Sequence, residues 1–409
     1  MPQAYWVETL GCPKNQVDSD KLVGTLEADG YVGAASAADA DLVVVNTCAF
    51  IDAARQESID TILALTDARR DGARVVVTGC MAERYGAELA DAIPEVDLVA
   101  GFGVPVTLRT KSTVPSFDLL NLPRPPARAP WAYVKVAEGC DRTCGFCAIP
   151  SFRGKQRSRT QADILAEVDA LNAKEIVLVA QDLASYAKDI GERGAIVPLV
   201  REVAARVPRV RLLYLYPSDL NDGLIDVIGE SGVPYFDLSL QHVSKPLLRR
   251  MRRWGDGDRF LRRIDDIRTR WPDATFRSSF IVGYPGETEA DHDQMLAFIE
   301  AAQLDWAGLF AFSREDGTYA ADLDGTVDPE LMRERLRELS ELQDGITSAR
   351  RDALIGTRVE VLVDRPGVGR SHREAPEIDG VIHVPESLAV GSFVKVTITG
   401  ARGVDLEAA

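Results

Sequence analysis

The chemistry most visible in this sequence lies in its six cysteines, which fall into two triples with none left over. Cys140, Cys144 and Cys147 share one short stretch, Cys140-Asp-Arg-Thr-Cys144-Gly-Phe-Cys147, directly after an apolar strand candidate. Iron–sulfur centres prefer cysteine sulfur, so three close thiolates on one loop suit three irons of a cubane cluster. Three ligands rather than four leave one iron with an open position, the mark of a catalytic rather than a structural metal site. The alternatives are a zinc knot or a redox pair formed by Cys144 and Cys147. Zinc calls for a fourth Cys or His nearby, and the chain has only four His, none between residues 131 and 230.

Cys12, Cys48 and Cys80 are far apart in sequence, yet each ends a strand candidate, in Thr9-Leu-Gly-Cys12, Asn46-Thr-Cys48 and Thr78-Gly-Cys80. In a parallel sheet the strand C-termini lie along one edge, where open α/β sheets build their sites. The three thiols are therefore expected to converge on a second metal cluster. The alternative is three buried structural thiols, because free cysteine packs like a small hydrophobe.

The elements that must position these residues fall into three groups. Apolar runs at Tyr5–Leu10, Asp41–Asn46, Arg74–Thr78 and Val96–Val99 alternate with helical patterns at Val17–Gly30, Ile51–Arg70 and Met81–Ile93. Such alternation predicts a doubly wound parallel α/β domain over residues 1–115. A linker follows at 116–130, where Asn121–Pro130 holds four prolines in ten residues and forbids helix. Residues 131–355 show six strand beats, at Trp131–Ala137, Glu175–Ala180, Val210–Tyr216, Tyr235–Leu240, Phe276–Val282 and Trp306–Phe312. Helical stretches such as Gln161–Asn172, Leu220–Glu230 and Glu289–Ala302 lie between them, and Pro329–Leu354 closes the series. Six βα units are too few for a closed eight-fold barrel, so a partial (β/α)6 TIM-type barrel is expected. Residues 356–409 carry short strand candidates (Arg358–Val363, Gly380–Val384, Ser392–Thr399) between Gly/Pro-rich turns, the pattern of a small antiparallel β-barrel.

Composition narrows the class. The chain has 409 residues, 46% hydrophobic and 27% charged, the profile of a soluble globular protein. No apolar run approaches a membrane span, and the N-terminus lacks the pattern of a signal peptide, so a cytoplasmic address is expected. The net charge of −16 argues against a protein that wraps nucleic acid and favours a basic partner or a small substrate.

Cys-x3-Cys-x2-Cys with the aromatic Phe146 before its last cysteine resembles the signature of the radical S-adenosylmethionine (SAM) superfamily. That resemblance implies a partial barrel with a 4Fe–4S cluster after its first strand. It further implies SAM on the open iron, cleaved by one electron to methionine and a 5′-deoxyadenosyl radical. Taken with the second triple, the Pro-rich linker and the small terminal barrel, the whole chain resembles the methylthiotransferases of that superfamily. In these an N-terminal domain bears a second 4Fe–4S cluster that takes part in sulfur delivery, and a terminal TRAM domain recognises the substrate. Some members modify an adenosine of transfer RNA, others the β-carbon of an aspartate in small-subunit ribosomal protein 12. Leu10-Gly-Cys-Pro-Lys-Asn15, Cys147-Ala-Ile-Pro150, Arg153-Gly154, Leu240-Gln-His242 and Ala375-Pro-Glu-Ile-Asp-Gly380 look like the second branch. From Gly356 onward the chain has six Arg/Lys against eight Asp/Glu, a net −2, whereas an RNA-gripping module should be basic. The resemblance implies ribosomal protein 12 as partner, free or in the ribosome, with an external one-electron reductant and a sulfur donor. Nucleic-acid contact would be secondary and a membrane plays no part. A non-enzymatic iron–sulfur carrier is the reading from another class, and the substrate-sized barrel argues against it.

Gln181 and Asp182 end the second barrel strand and Gln241 the fourth, so they are expected at the mouth, where such barrels bind ligands. The resemblance assigns some of them, with Phe146, to the SAM pocket, the alternative for Asp182 being a helix cap. Arg277 is expected to meet the methionine carboxylate. Ile281-Val-Gly-Tyr-Pro-Gly-Glu-Thr288 gives a glycine-rich turn at the same mouth. Arg153, Lys155, Arg157 and Arg159 form a basic stretch after the cluster loop, expected to orient a substrate carboxylate or touch ribosomal RNA, or else to be a solvated loop. Arg249, Arg250, Arg252 and Arg253 are read the same way.

Overall fold

The computed structural model describes residues 2–102 and 119–409. The junction expected between residues 115 and 116 lies outside the described residues.

Five parallel strands open the chain, ordered across the sheet as Val32–Gly33, Ala4–Thr9, Leu42–Thr47, Arg74–Gly79 and Leu98–Val99. Alternation along the central strands sends Val43, Val45, Val75 and Val77 to one face and Leu42, Val44 and Val76 to the other. The first face is covered by the helices Asp52–Ala68 and Cys80–Ala92 through Ile62, Met81 and Leu89, and the second by Pro13–Ala28 through Leu22 and Leu26. The sheet is doubly wound, as expected. The order second-first-third-fourth-fifth puts the topological switch point between the strands that end near Cys12 and Cys48. The first helix begins earlier than its apolar pattern suggested, because Pro13 is compatible with a first turn that needs no amide donor.

The linker is extended after the 3-10 turn Leu119–Asn121, but it is not loose. Arg124 bonds Asp20 of the first helix at 2.7 Å and Glu167 of the helix Gln161–Leu171 at 3.0 Å.

Six parallel strands form the central barrel wall in sequence order, as two three-stranded sheets. One joins Trp131–Lys135, Glu175–Val179 and Arg209–Leu212; the other joins Tyr235–Gln241, Thr275–Val282 and Trp306–Ala311. A single bridge, Leu215 to Leu238, spans the two. The third strand is shorter than its apolar run, since Tyr214 adopts φ 65° just beyond it and breaks the ladder. Ala132, Val134, Ile176 and Leu178 face outward onto the helices, packing with Ile164, Val168, Leu224 and Ile264.

The wall does not close on itself. The first helix of the N-terminal domain runs beside Trp131–Lys135, with Asp18 paired to Lys135 and Arg153. Beyond the sixth strand, Glu315 receives both Arg55 and Arg84 of that domain. The N-terminal domain thus touches both margins of the opening.

The terminal segment forms a closed five-stranded barrel ordered Arg358–Arg365, Val368–Arg370, Ile382–His383, Asp405–Ala408, Phe393–Arg402. The pairing of Ile382–His383 with Asp405–Ala408 is parallel, so this barrel is not wholly antiparallel. Its 370–379 segment plugs the floor of the central barrel. Tyr133 Oη donates to Pro376 O at 2.7 Å, Tyr235 Oη to Asp379 at 2.6 Å, Trp306 Nε1 to Arg373 O at 2.8 Å, and Arg370 pairs with Glu175 at 3.2 Å. These partners lie at or near the strand starts, which leaves the strand C-termini as the open end. No helix among the described residues is long and apolar enough to cross a membrane.

Candidate metal centres

The loop bearing Cys140, Cys144 and Cys147 leaves the first barrel strand and is closed at its base by a two-residue ladder, Ala137–Glu138 with Arg157–Ser158. Gly139 sits at φ +77°, and a Cβ there would meet Lys155 O at 2.2 Å, so only glycine fits the neck. The amide of Cys140 then donates to Gly154 O at 3.1 Å. Further along, the amide of Gly145 donates to Met251 O at 2.8 Å, and its carbonyl accepts from Ala320 at the same distance. Phe146 is half-buried against the barrel core.

Cys140 and Cys147 sense their cysteine neighbours. Burial first, then the neighbouring Cys144 and Cys140, push the Cys147 thiol up to about 12. Burial, with Asp182 and Cys144 adding to it, pushes Cys140 up to about 11. Donors already point at the sulfurs: the amide of Arg142 at Cys140 Sγ (3.4 Å) and the Arg253 guanidinium at Cys144 Sγ (3.4 Å). Arg142 and Arg253 also stack on Tyr216, each at 3.9 Å. Arg142 Nε donates to Asp182 at 2.6 Å. Asp182 precedes the 3-10 turn Leu183–Ser185 but makes no side-chain cap there. Gln181 donates to Glu138 at 2.6 Å, while its Oε1 is buried without a partner. Gln241 ends its strand at φ 71°.

Arg277 lies near the start of its strand, bound to Asp237 at 3.0 Å and to Asp379 of the terminal domain at 3.6 Å. It already has two carboxylates on the floor side of the barrel, which corrects its expected role toward a methionine carboxylate.

The second triple converges at the sheet edge. Cys12 occupies the position just before the first helix, Cys48 follows the third strand, and Cys80 opens the helix after the fourth. Burial first, then Cys80 and Cys12, raise the Cys48 thiol to about 12. Cys12 behaves differently. Burial raises it, but Lys14, Arg153 and the amides of Asn15 and Lys14 together hold it below the ordinary cysteine value.

Two residues organise this triple. Asn15 is fully buried; its Nδ2 donates to Leu10 O (2.9 Å) and Thr47 O (3.0 Å), and its Oδ1 faces Cys80 Sγ at 3.6 Å. One side chain therefore ties all three strand-end loops. Arg153, in the short helix Ile149–Arg153 after the other cysteine loop, donates to Cys80 Sγ at 2.9 Å and to Asn15 Oδ1 at 2.7 Å. Its other nitrogen meets Asp18 at 3.1 Å and Glu138 at 3.0 Å. The expectation of a substrate-facing or solvated Arg153 is thus overturned, since it is 6% exposed. Arg159 is likewise internal, bound to Glu167 at 2.7 Å and to Lys135 O. In the sequence Asn15 lies within a motif and Arg153 within a basic run, and nothing local to either shows that they meet.

Among the described residues, no group of three or more His, Cys, Asp or Glu is gathered as a single metal ion requires. A multi-iron cluster takes its thiolates at separate corners. Two all-thiol triples, each mutually close and each with donors aimed at sulfur, fit that kind of group.

Residues 4–101 match the family described as Uncharacterized protein family UPF0004, residues 134–299 the Radical SAM superfamily, and residues 355–409 the TRAM domain. The curated ribosomal protein uS12 methylthiotransferase RimO of Cutibacterium acnes is 41% identical, over 98% of this chain and 96% of that protein. The protein of the same name from a Nocardioides species is 42% identical, over 98% and 95%. Among solved structures, the radical SAM methyltransferase TsrM of Kitasatospora setae, with cobalamin and a 4Fe–4S cluster bound, superposes with a TM-score of 0.52. At 15% identity over 78% of this chain and 74% of that one, this is a likeness of fold. With two fifths of its residues shared across nearly its whole length, the chain belongs to the RimO family of radical SAM methylthiotransferases.

Proposed function

We propose that this protein adds a methylthio group to the β-carbon of an aspartate in small-subunit ribosomal protein 12. The full-length likeness to curated RimO enzymes supports that substrate. The observation that carries the two-centre chemistry is the contact of Arg153, from the Cys140–Cys147 side, with the Cys80 sulfur.

Cys140, Cys144 and Cys147 would hold one 4Fe–4S cluster, and Cys12, Cys48 and Cys80 a second. When bound with SAM, the first supplies one-electron cleavage of the sulfonium and hence a 5′-deoxyadenosyl radical. The aspartate β-carbon needs such a partner, because its hydrogens are too weakly acidic for a protein base at neutral pH. The side chains supply placement. Gln181 keeps a buried carbonyl oxygen free for a ligand donor, and Asp182 fixes Arg142 beside the cysteine loop. Gln241 and Phe146 complete the proposed SAM pocket at the mouth. The Arg142 amide and the Arg253 guanidinium aim donors at the Cys140 and Cys144 sulfurs. The plugged floor and straddled side leave the mouth as the route for SAM and substrate. A second SAM provides the methyl group, while the reductant and sulfur donor come from outside the chain. We place the reaction in the cytoplasm, with any ribosomal RNA contact secondary.

The test is anaerobic reconstitution with reductant, sulfide and SAM, offering a ribosomal-protein-12 peptide and a transfer-RNA anticodon stem-loop in parallel. The expected outcome is a methylthio mass gain on the aspartate of the peptide. A gain on the RNA alone would contradict the assignment.

A further inference from the structure

We infer that Arg153 is a positioning residue for the Cys12/Cys48/Cys80 centre, raising its reduction potential and tying it to the other cysteine loop; this rests on the two-cluster reading above. Lys135 and Arg153 face Asp18 and Glu138 in one buried cluster, two cations against two anions. All four side chains are buried, and each charge in the cluster faces an opposite one. The carboxylates thus fix the guanidinium by one nitrogen and leave the other to donate to Cys80 Sγ at 2.9 Å and Asn15 Oδ1 at 2.7 Å.

A bound thiolate cluster gains negative charge when reduced. A hydrogen-bond donor with a fixed positive charge at a ligand sulfur favours the reduced form, and the low-polarity setting strengthens the effect. The planar fork matters as well as the charge, because only guanidinium reaches carboxylates, amide and sulfur from one rigid frame. Glu138 also accepts from Gln181 at the barrel mouth, so the same network runs from the proposed SAM pocket to Cys80.

The experiment uses the full chain with Cys140, Cys144 and Cys147 all changed to Ala, so that only the Cys12/Cys48/Cys80 centre can load. It is compared with the same chain carrying Arg153→Gln or Arg153→Lys, by iron content and by potentiometric titration followed by electron paramagnetic resonance. In Arg153→Gln the reduced-to-oxidised ratio at a fixed potential should fall about tenfold or more, equivalent to about 59 mV for one electron. Arg153→Lys should lie between. Loss of iron from Arg153→Gln, with Arg153→Lys loading at a lowered potential, supports the same conclusion. An unchanged midpoint in both variants overturns it. If the triple-Ala parent binds no iron at all, the two-cluster reading fails first and the inference with it.

Discussion

Cys140, Cys144 and Cys147 are neighbours because the chain makes them so, whereas Cys12, Cys48 and Cys80 are neighbours only because three strands finish at one sheet edge. The first set needs a loop with a glycine neck and a few anchoring amides. The second needs a folded parallel sheet, a buried Asn15 stitching three loops together, and an arginine lent by another domain. A local site can be preformed by its own loop. A dispersed one is only as well formed as the tertiary structure around it, so under the proposed two-cluster reading its metal affinity and its folding are coupled.

The largest effect that would break this contrast is chemical. Cys144→Ala should abolish 5′-deoxyadenosine release and methylthio product together, whereas Cys80→Ala should keep deoxyadenosine release and lose only the methylthio product. Both are read by mass spectrometry from one anaerobic incubation, and identical profiles for the two variants would erase the division of labour. Next in size is Asn15→Ala. It strips the donor from two buried carbonyls and should cost the metal-free chain about 3 kcal/mol in urea unfolding. A change within error would show that the sheet edge needs no stitch.

The barrel side has its own weak point in acid. Burial holds the His242 pKa down to about 4, opposed by Asp291, and its Nδ1 accepts from the Ser244 amide at 3.0 Å. The folded state therefore takes up this proton less readily than the unfolded chain. Its stabilising share is complete above the ordinary histidine value and is lost as pH falls toward about 4. Between about pH 7.5 and about pH 5 the loss should be about 2 kcal/mol. His242→Gln should remove that difference, other titrating groups being common to both chains. The most local effect belongs to Glu315→Gln. It puts a neutral amide where a buried carboxylate clamps Arg55 and Arg84, and should speed hydrogen exchange in residues 52–84. Unchanged exchange there would show that the N-terminal domain is held on its first margin alone.

The same contrast explains what could be read from the sequence. The Cys140–Cys147 spacing is visible as written, and the dispersed triple is visible once the alternation places each thiol at a strand end. The six barrel beats are equally plain, because buried parallel strands read as continuous apolar runs. What escaped reading is decided by partners distant in sequence. Arg153 reads as part of a basic loop because Asp18, its counter-ion, lies 135 residues away. Arg277 reads as a ligand group because nothing local shows that Asp379 of the terminal domain occupies it. The short ladder Ala137–Glu138/Arg157–Ser158 and the terminal strands Val368–Arg370 and Asp405–Ala408 are too brief for periodicity to mark.

The most direct test of the two-centre account is iron and sulfide per chain in three reconstituted proteins: the unaltered chain, Cys12/Cys48/Cys80 all to Ala, and Cys140/Cys144/Cys147 all to Ala. Two 4Fe–4S centres should give about eight irons in the first and about four in each of the others. About four irons in the unaltered chain, none of them lost when Cys12, Cys48 and Cys80 are replaced, would contradict it.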